Sequence, residues 1–372
     1  MMGKRYNDSM YRFTMDTIDG LLSWYRENRR DLPWRRDRDP YGIWLSEIML
    51  QQTRVEAAIA YYGRFRNRYP DIESLAKADD ETLLRLWEGL GYYSRVRNMK
   101  KCARVLMEEH EGRLPSDKEE LMKLPGIGSY TAGAISAIAY GRPEAAVDGN
   151  VLRVLSRIFA IREDIKDPKL KKRLEDCIES FYQENGISDP GYISDLTQAL
   201  MELGALVCLP NGRPLCLECP LSSECKAYSE KLTDVIPLRS GNRDRKIVDR
   251  TLFVILCNDR FLLHRRSSKG LLAGMYEFIG TDQKMNEEEA AGFIRNLGIE
   301  SFDLKELPSS RHIFTHLEWR MQAYEIRTDT LPDLDRNEYM LADRKRLQSL
   351  AVPSAFRVYL DCYGLRKRGN RK

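Results

Sequence analysis

Apolar positions keep helical spacing through the first part of the chain and cluster like strands after it. Ile18, Leu21, Leu22 and Tyr25 fall on one helical face, and helical patterns continue over 55–69 and 83–90. Leu121 and Leu124 lie on one side of Gly126-Ile127-Gly128, and Ala134, Ile135 and Ile138 on the other. That spacing predicts two helices joined by a turn that glycine makes tight. Val151, Leu152, Leu155 and Ile158 form the next stripe, with Asp148 just ahead of it as a capping acid. A polar helix is expected over 168–185, and Leu196, Leu200, Leu203 and Val207 make a buried stripe within 194–208. The character then changes. TLFVILC and RFLLHRR flank Asn258-Asp259 and read as a β-hairpin. A further strand is expected over 317–327, with helices near 287–297 and 353–363. The fold class is therefore two domains, all-α followed by α+β.

At 372 residues the chain exceeds the usual length of one domain. The helical domain is expected over 1–228 and the α+β domain over 248–365. Residues 229–247, charged and without apolar periodicity, read as a linker. RKRGNRK at 366–372 reads as a basic tail with non-specific affinity for DNA. No apolar run approaches the roughly 20 residues of a membrane span, and no signal peptide opens the chain. These features point to a cytoplasmic protein with no membrane partner. Sixty basic side chains against 56 acidic ones leave a net charge of +4, so local distribution must decide whether nucleic acid is a partner.

Eight cysteines without an export signal argue against a disulfide framework. Cys102, Cys177, Cys257 and Cys362 stand singly and read as small core residues. Cys208, Cys216, Cys219 and Cys225 follow C-x7-C-x2-C-x5-C, which suits a [4Fe–4S] cluster or a tetrahedral zinc site. Zinc sites favour two closely spaced pairs, and only the middle pair here fits that pattern.

Other stretches carry candidate chemistry. A Gly-x-Gly turn feeding a helix N-terminus presents backbone N–H groups to a phosphate. With Asp148 a short way downstream, it suggests chemistry on nucleic acid. RRDLPWRRDRDPYGIW gathers Arg29, Arg30, Arg35, Arg36 and Arg38 around Trp34. It reads either as a base-stacking and phosphate-holding loop or as a solvated basic loop. Glu47 stands within the apolar run 44–53. It is either a general acid whose pKa burial raises or a surface residue in a first helical turn. GLGYYSRVRNMKKCA at 89–103 combines a glycine turn, Tyr92 and several cations, a wedge with phosphate contacts or ordinary helix packing. Glu202, beside its apolar stripe, reads as exposed.

LPGIGSYTAGA followed by VDGNV resembles the helix-hairpin-helix DNA glycosylases, and SEIMLQQT is similar to the segment of their adenine-specific branch, the MutY family. The resemblance covers about residues 16–363 and implies a base excision repair enzyme. Such an enzyme flips adenine out of an 8-oxoguanine:adenine or guanine:adenine mispair and hydrolyses its glycosidic bond. Two carboxylates with separated pKa values suit that chemistry. The resemblance implies Glu47 as the acid that protonates adenine N7 and Asp148 as the ionised stabiliser of the cationic sugar. Asn150 would orient water or Asp148. Trp34, Arg35, Gln52 and Tyr130 would line the pocket, with Glu202 assisting near the leaving base. Leu90, Gly91 and Tyr92 would probe the duplex, and Gly126 and Gly128 would hold a phosphate.

Relatives that also cut the strand carry a lysine where this chain has Tyr130, which implies a monofunctional enzyme; a monomer is expected. The family's cysteine spacing, one residue shorter in the first gap, implies a [4Fe–4S] cluster on the four cysteines. Residues 248–365 resemble the Nudix-like domain of the same enzymes, including GLLAGMYEF at 270–278. In that domain Phe314-Thr315-His316 matches the loop that reads 8-oxoguanine. MNEEEAAGFIRNLGI lacks the Arg-Glu pair of a Nudix hydrolase box, which implies no independent phosphohydrolase activity. Two rival readings are a bifunctional glycosylase/lyase for oxidised pyrimidines and a non-catalytic iron–sulfur DNA-binding module.

Overall fold

Three helices of this protein open on Asp-Pro. In Pro40–Leu50, Pro168–Glu184 and Pro190–Leu206 the aspartate accepts backbone N–H groups of the first turn and the proline takes the first helical position. A proline there loses no intrahelical bond, and the carboxylate satisfies donors the helix leaves open. The computed structural model describes residues 11–210, 212–241, 244–267 and 269–365, and the expected basic tail at 366–372 lies outside them.

Contacts divide the chain into two units, one built from residues up to 78 with 97–241, the other from 79–96 with the residues after 241. The first unit is helical. Met15–Asn28, Gly149–Ile158, Pro168–Glu184 and Pro190–Leu206 enclose a core that contains every member of the stripes Ile18–Leu21–Leu22–Tyr25 and Leu196–Leu200–Leu203–Val207. Beside this core, Pro40–Leu50 is buried on all sides from Tyr41 to Met49, the pattern of an interior helix. Lys118–Lys123 and Ser129–Ala134 form the expected hairpin, and the second helix runs on as a π-helical turn over Ile135–Ala139. Gly126 supplies the left-handed residue, φ +81°, and a Cβ there would stand 2.6 Å from Asn98 Cβ. Gly128 is different: its backbone is extended, φ −94°, and the space above it is open. Only one of the two glycines is thus required by the turn itself.

The expected linker is partly structured. Arg157 Nε donates to Ile236 O at 2.8 Å, and Ile165 N to Leu238 O at 2.9 Å. These bonds tie residues up to 241 onto the helices, beyond the expected boundary at 228.

The second unit is a six-stranded mixed sheet in the order β4-β5-β1-β3-β2-β6. Its strands are β1 (Lys246–Cys257), β2 (Arg260–Arg265), β3 (Tyr276–Thr281), β4 (Asp303–Ile313), β5 (Leu317–Thr328) and β6 (Tyr339–Ala342). β1 and β5 run parallel over their full lengths, and the other pairs are antiparallel. The β1–β2 turn puts Asn258 at φ 51° and Asp259 at φ 59°, as a two-residue hairpin turn requires. Alternation along β1 sends Phe253 and Ile255 towards the Glu287–Asn296 helix, and Leu252, Val254 and Leu256 towards Leu347, Phe356 and Tyr359. The helix expected over 353–363 is a 3-10 turn, Ser354–Phe356, followed by Arg357–Cys362. Residues 79–96 belong to this unit: Arg346 binds Glu81 through two 2.7 Å bonds.

Candidate active site

Glu47 sits on the interior helix Pro40–Leu50 and is 6% exposed, which rules out a first-turn surface residue. Burial pushes its carboxyl up to about 7, the charge of Asp148 adds to that, and a hydrogen bond from Tyr130 opposes it. Tyr130 Oη donates to Glu47 Oε2 at 2.6 Å from the second hairpin helix. Burial first, and then Glu47 and Asp148, raise the phenol's own pKa, so it stays neutral.

Asp148 caps Gly149–Ile158 as expected: Oδ1 accepts from Val151 N at 2.8 Å, and Oδ2 from Asn150 Nδ2 at 2.8 Å. A helix N-terminus alone would lower a carboxylate. Here burial outweighs the cap and the direction is upward, with the Val151 and Asn150 bonds opposing it. Asp148 still receives two donors where Glu47 receives one. The two donors on Asp148 favour its ionised form more than the single donor on Glu47 does. Asn150 Oδ1 in turn accepts from Arg153 Nη2 at 3.0 Å, and Arg153 Nε donates to Cys208 O at 2.7 Å. Gly204 lets its helix close on Asn150, whose Cβ would lie 2.6 Å from a side chain there.

Glu202 is not exposed: it is fully buried. Arg30 reaches it through its backbone N–H at 2.9 Å, Nε at 2.9 Å and Nη2 at 2.8 Å, and Arg35 through Nη2 at 2.8 Å. Burial pushes this carboxyl up, but the bonds from Arg30 and Arg35 win and hold it at about 2. Arg35 also acts on Glu47 electrostatically, so the two carboxylates differ sharply although one guanidinium influences both. Arg30 was legible only as one of a basic cluster, and its inward turn is a long-range pairing. Trp34 does not stand open among the guanidiniums. It is 7% exposed and packs edge-on to Tyr62, ring centroids 5.3 Å apart. Gln52 is exposed in the turn after the acid helix with left-handed backbone, φ 60°. A non-glycine residue held so is a site of local strain.

The four expected ligands converge. Cys208, Cys216, Cys219 and Cys225 line one cavity together with Arg157. Arg157 Nη1 donates to Cys208 Sγ at 3.2 Å and to Leu209 O at 2.9 Å. Burial pushes the thiols of Cys216, Cys219 and Cys225 up, Cys219 to about 12. Buried thiolates therefore need a cationic centre beside them. Among the described residues no three His, Cys, Asp or Glu gather tightly enough to hold a single ion. Of the single cysteines, Cys102 and Cys257 are buried as expected, Cys177 is half-buried and Cys362 is exposed.

In the second unit Leu90 is buried at 7%, Gly91 has φ +71°, and Tyr92, at φ 47°, is 45% exposed. Tyr92 is thus the residue this turn presents, with Leu90 packed beneath. Phe314, Thr315 and His316 form the β4–β5 turn. Phe314 packs edge-on to Trp319 and His312, at 4.8 and 4.7 Å, and leaves Thr315 and His316 exposed. The Thr315 and Tyr92 hydroxyls are hydrogen-bonded.

Residues 45–180 match the model of the HhH-GPD superfamily base excision DNA repair proteins, and 251–362 that of the NUDIX domain. An adenine DNA glycosylase of Mus musculus is 34% identical over 388 residues, covering 87% of this chain and 74% of its own. One from Buchnera aphidicola subsp. Acyrthosiphon pisum is 31% identical over 344 residues, covering 92% and 95%. Among solved structures, a thermostable thymine-DNA glycosylase superposes with a TM-score of 0.50 at 29% identity, over 57% of this chain and 95% of its own.

Proposed function

Since this chain belongs to the adenine DNA glycosylase family, and so removes adenine from DNA as a monofunctional base excision repair enzyme, we propose that its substrate is adenine opposite 8-oxoguanine or guanine and that Glu47 and Asp148 perform the excision. The carrying observation is the different surroundings of the two carboxylates: burial raises Glu47 to about 7, while Asp148 takes two donors on its oxygens.

Adenine rotated out of the stack meets Glu47, whose proton passes to N7 as the glycosidic bond breaks. Positive charge then develops on the sugar, and the Asp148 carboxylate stabilises it until water adds to the anomeric carbon and passes its proton to the Glu47 carboxylate. Tyr130 holds Glu47 in place and, being a phenol, offers no amine for an imine, so the strand stays intact. Arg30, Arg35 and Glu202 form a fixed polar wall to the pocket. The open space over Gly128 lets a phosphate approach the N–H groups of the Ser129–Ala134 helix. Tyr92 probes the duplex, and Thr315 with His316 reads the base opposite.

Cys208, Cys216, Cys219 and Cys225 would hold a [4Fe–4S] cluster. When bound, it would supply a structural clamp between their loop and the helix that Asp148 caps. Arg157 and Arg153, donating to Cys208 from that helix, support this reading. The partner is duplex DNA, and among the described residues no helix is long and apolar enough to cross a membrane. The direct test is incubation with an 8-oxoguanine:adenine duplex: breaks appearing only after alkali are expected, and breaks without alkali would overturn the reading.

A further inference from the structure

Asp148 is delivered to its helix by residues 142–147, which have no regular secondary structure although Ala145, Ala146 and Val147 are at most 4% exposed. Buried backbone polar groups outside helices and sheets must find partners elsewhere. At Ala145 those partners are side chains. Glu179 Oε1, from the Pro168–Glu184 helix, accepts the Ala145 N–H at 3.2 Å. Lys118 Nζ, from the first turn of the hairpin, donates to the same Glu179 oxygen at 2.9 Å and reaches Ala145 O at 3.5 Å. The Lys118 and Glu179 side chains are 13% and 22% exposed, and Glu144 lies 3.4 Å from the ammonium. Gly133 leaves no gap at the same carbonyl: a Cβ there would fall 2.2 Å from Ala145 O. The Ala145 backbone is therefore held by the hairpin at its carbonyl and by a third helix at its N–H.

We infer that Glu179, anchored by Lys118, is a positioning residue for adenine excision: it sets the peptide from which the chain runs to Asp148. The inference rests on the reading of Asp148 as the stabilising carboxylate. Glu179 touches no substrate atom and acts only through where Asp148 sits. An isolated exposed ion pair would contribute little, but this one satisfies a buried backbone group three residues from the catalytic carboxylate.

The test uses the full chain on a duplex with adenine opposite 8-oxoguanine, measuring the single-turnover rate and the Kd for a non-cleavable adenine analogue. Glu179→Ala should slow excision roughly tenfold to hundredfold, the effect of small misplacement at a reacting centre, while Kd holds. Glu179→Gln keeps an acceptor for the Ala145 N–H and should recover most of the rate. An unchanged rate in Glu179→Ala, a Kd that weakens in step with the rate, or equal losses in the Ala and Gln variants would each overturn the inference. If Glu179→Ala does not fold, Lys118→Met removes the anchor alone and should give a smaller loss of rate; no loss there also overturns it. Asp148→Asn separates the two levels. If it stays active, the reading of the site fails; if it is dead while Glu179→Ala is normal, only the positioning role fails.

Discussion

The Tyr130 hydroxyl lies 2.6 Å from Glu47 Oε2. One phenol therefore holds the carboxyl proposed as the acid, at the position where the resemblance implies a lysine in strand-cutting relatives. Its removal should affect the acid before it affects anything else.

Glu47→Gln keeps size and hydrogen bonding but has no proton to give. Adenine release should fall at least about 10²-fold, the usual value of general acid catalysis, with duplex binding intact. In the wild type, Glu47 is active when protonated and its pKa is about 7. The rate should therefore decline as pH rises through that value, which a single-turnover pH profile checks.

Tyr130→Phe removes the bond that favours the ionised carboxylate. The acid then holds its proton to higher pH, so the alkaline limb of the same profile should move upward. Tyr130→Lys should allow trapping on DNA by borohydride, which the wild type should not. Glu47 beside the new amine would keep it protonated, so on a duplex already carrying the abasic site trapping should increase with pH. Equal trapping of both proteins would show that another amine reaches the sugar.

Gly126→Ala and Gly128→Ala should separate folding from binding. The first forces a side chain into left-handed backbone against Asn98 and should cost about 1 kcal/mol or more of stability, visible as a lower Tm. The second sits in open, extended backbone and should leave Tm nearly unchanged while weakening DNA binding, since its methyl fills the approach to the helix N-terminus.

Protein purified without air should carry iron and sulfide in about equal amounts and absorb broadly in the visible. Zinc without sulfide would show that the cavity among Cys208, Cys216, Cys219 and Cys225 holds something else.

Thr315→Ala should reduce the preference for adenine opposite 8-oxoguanine over adenine opposite guanine and leave excision opposite guanine largely intact. Relative rates on the two duplexes decide it. Deleting the whole second unit is a poorer test, because residues 79–96 would lose partners such as Arg346.

Much of this was legible in the sequence because it depends on neighbours along the chain. The stripes Ile18–Tyr25 and Leu196–Val207, the Asp148 cap and the Asn258-Asp259 turn are set by local spacing and turn chemistry. β4 was not legible: Pro308 and a register shift between Leu307 and Ser310 break its alternation. Periodicity could not separate Gly126 from Gly128, since it carries no information on φ. Glu202 was misread for another reason. The arginines that bury it come from some 170 positions away, and no window of sequence contains both. A shorter separation, 34 positions, was still enough to hide Glu179 from Ala145.

The fate of Arg30, Arg35 and Arg36 also bears on ionic strength. Counted by composition, the five arginines of residues 29–38 suggest as many phosphate contacts, and at about −0.9 per phosphate a salt slope near −4.5 from this stretch alone. Arg30 and Arg35 are withdrawn onto Glu202, and Arg36 is paired with Asp31 at 2.8 Å. The Arg36 pair is exposed and opens readily to a phosphate, so three guanidiniums are left to release counterions and the contribution shrinks to about −2.7. Binding should survive rising salt better than a count of basic residues implies.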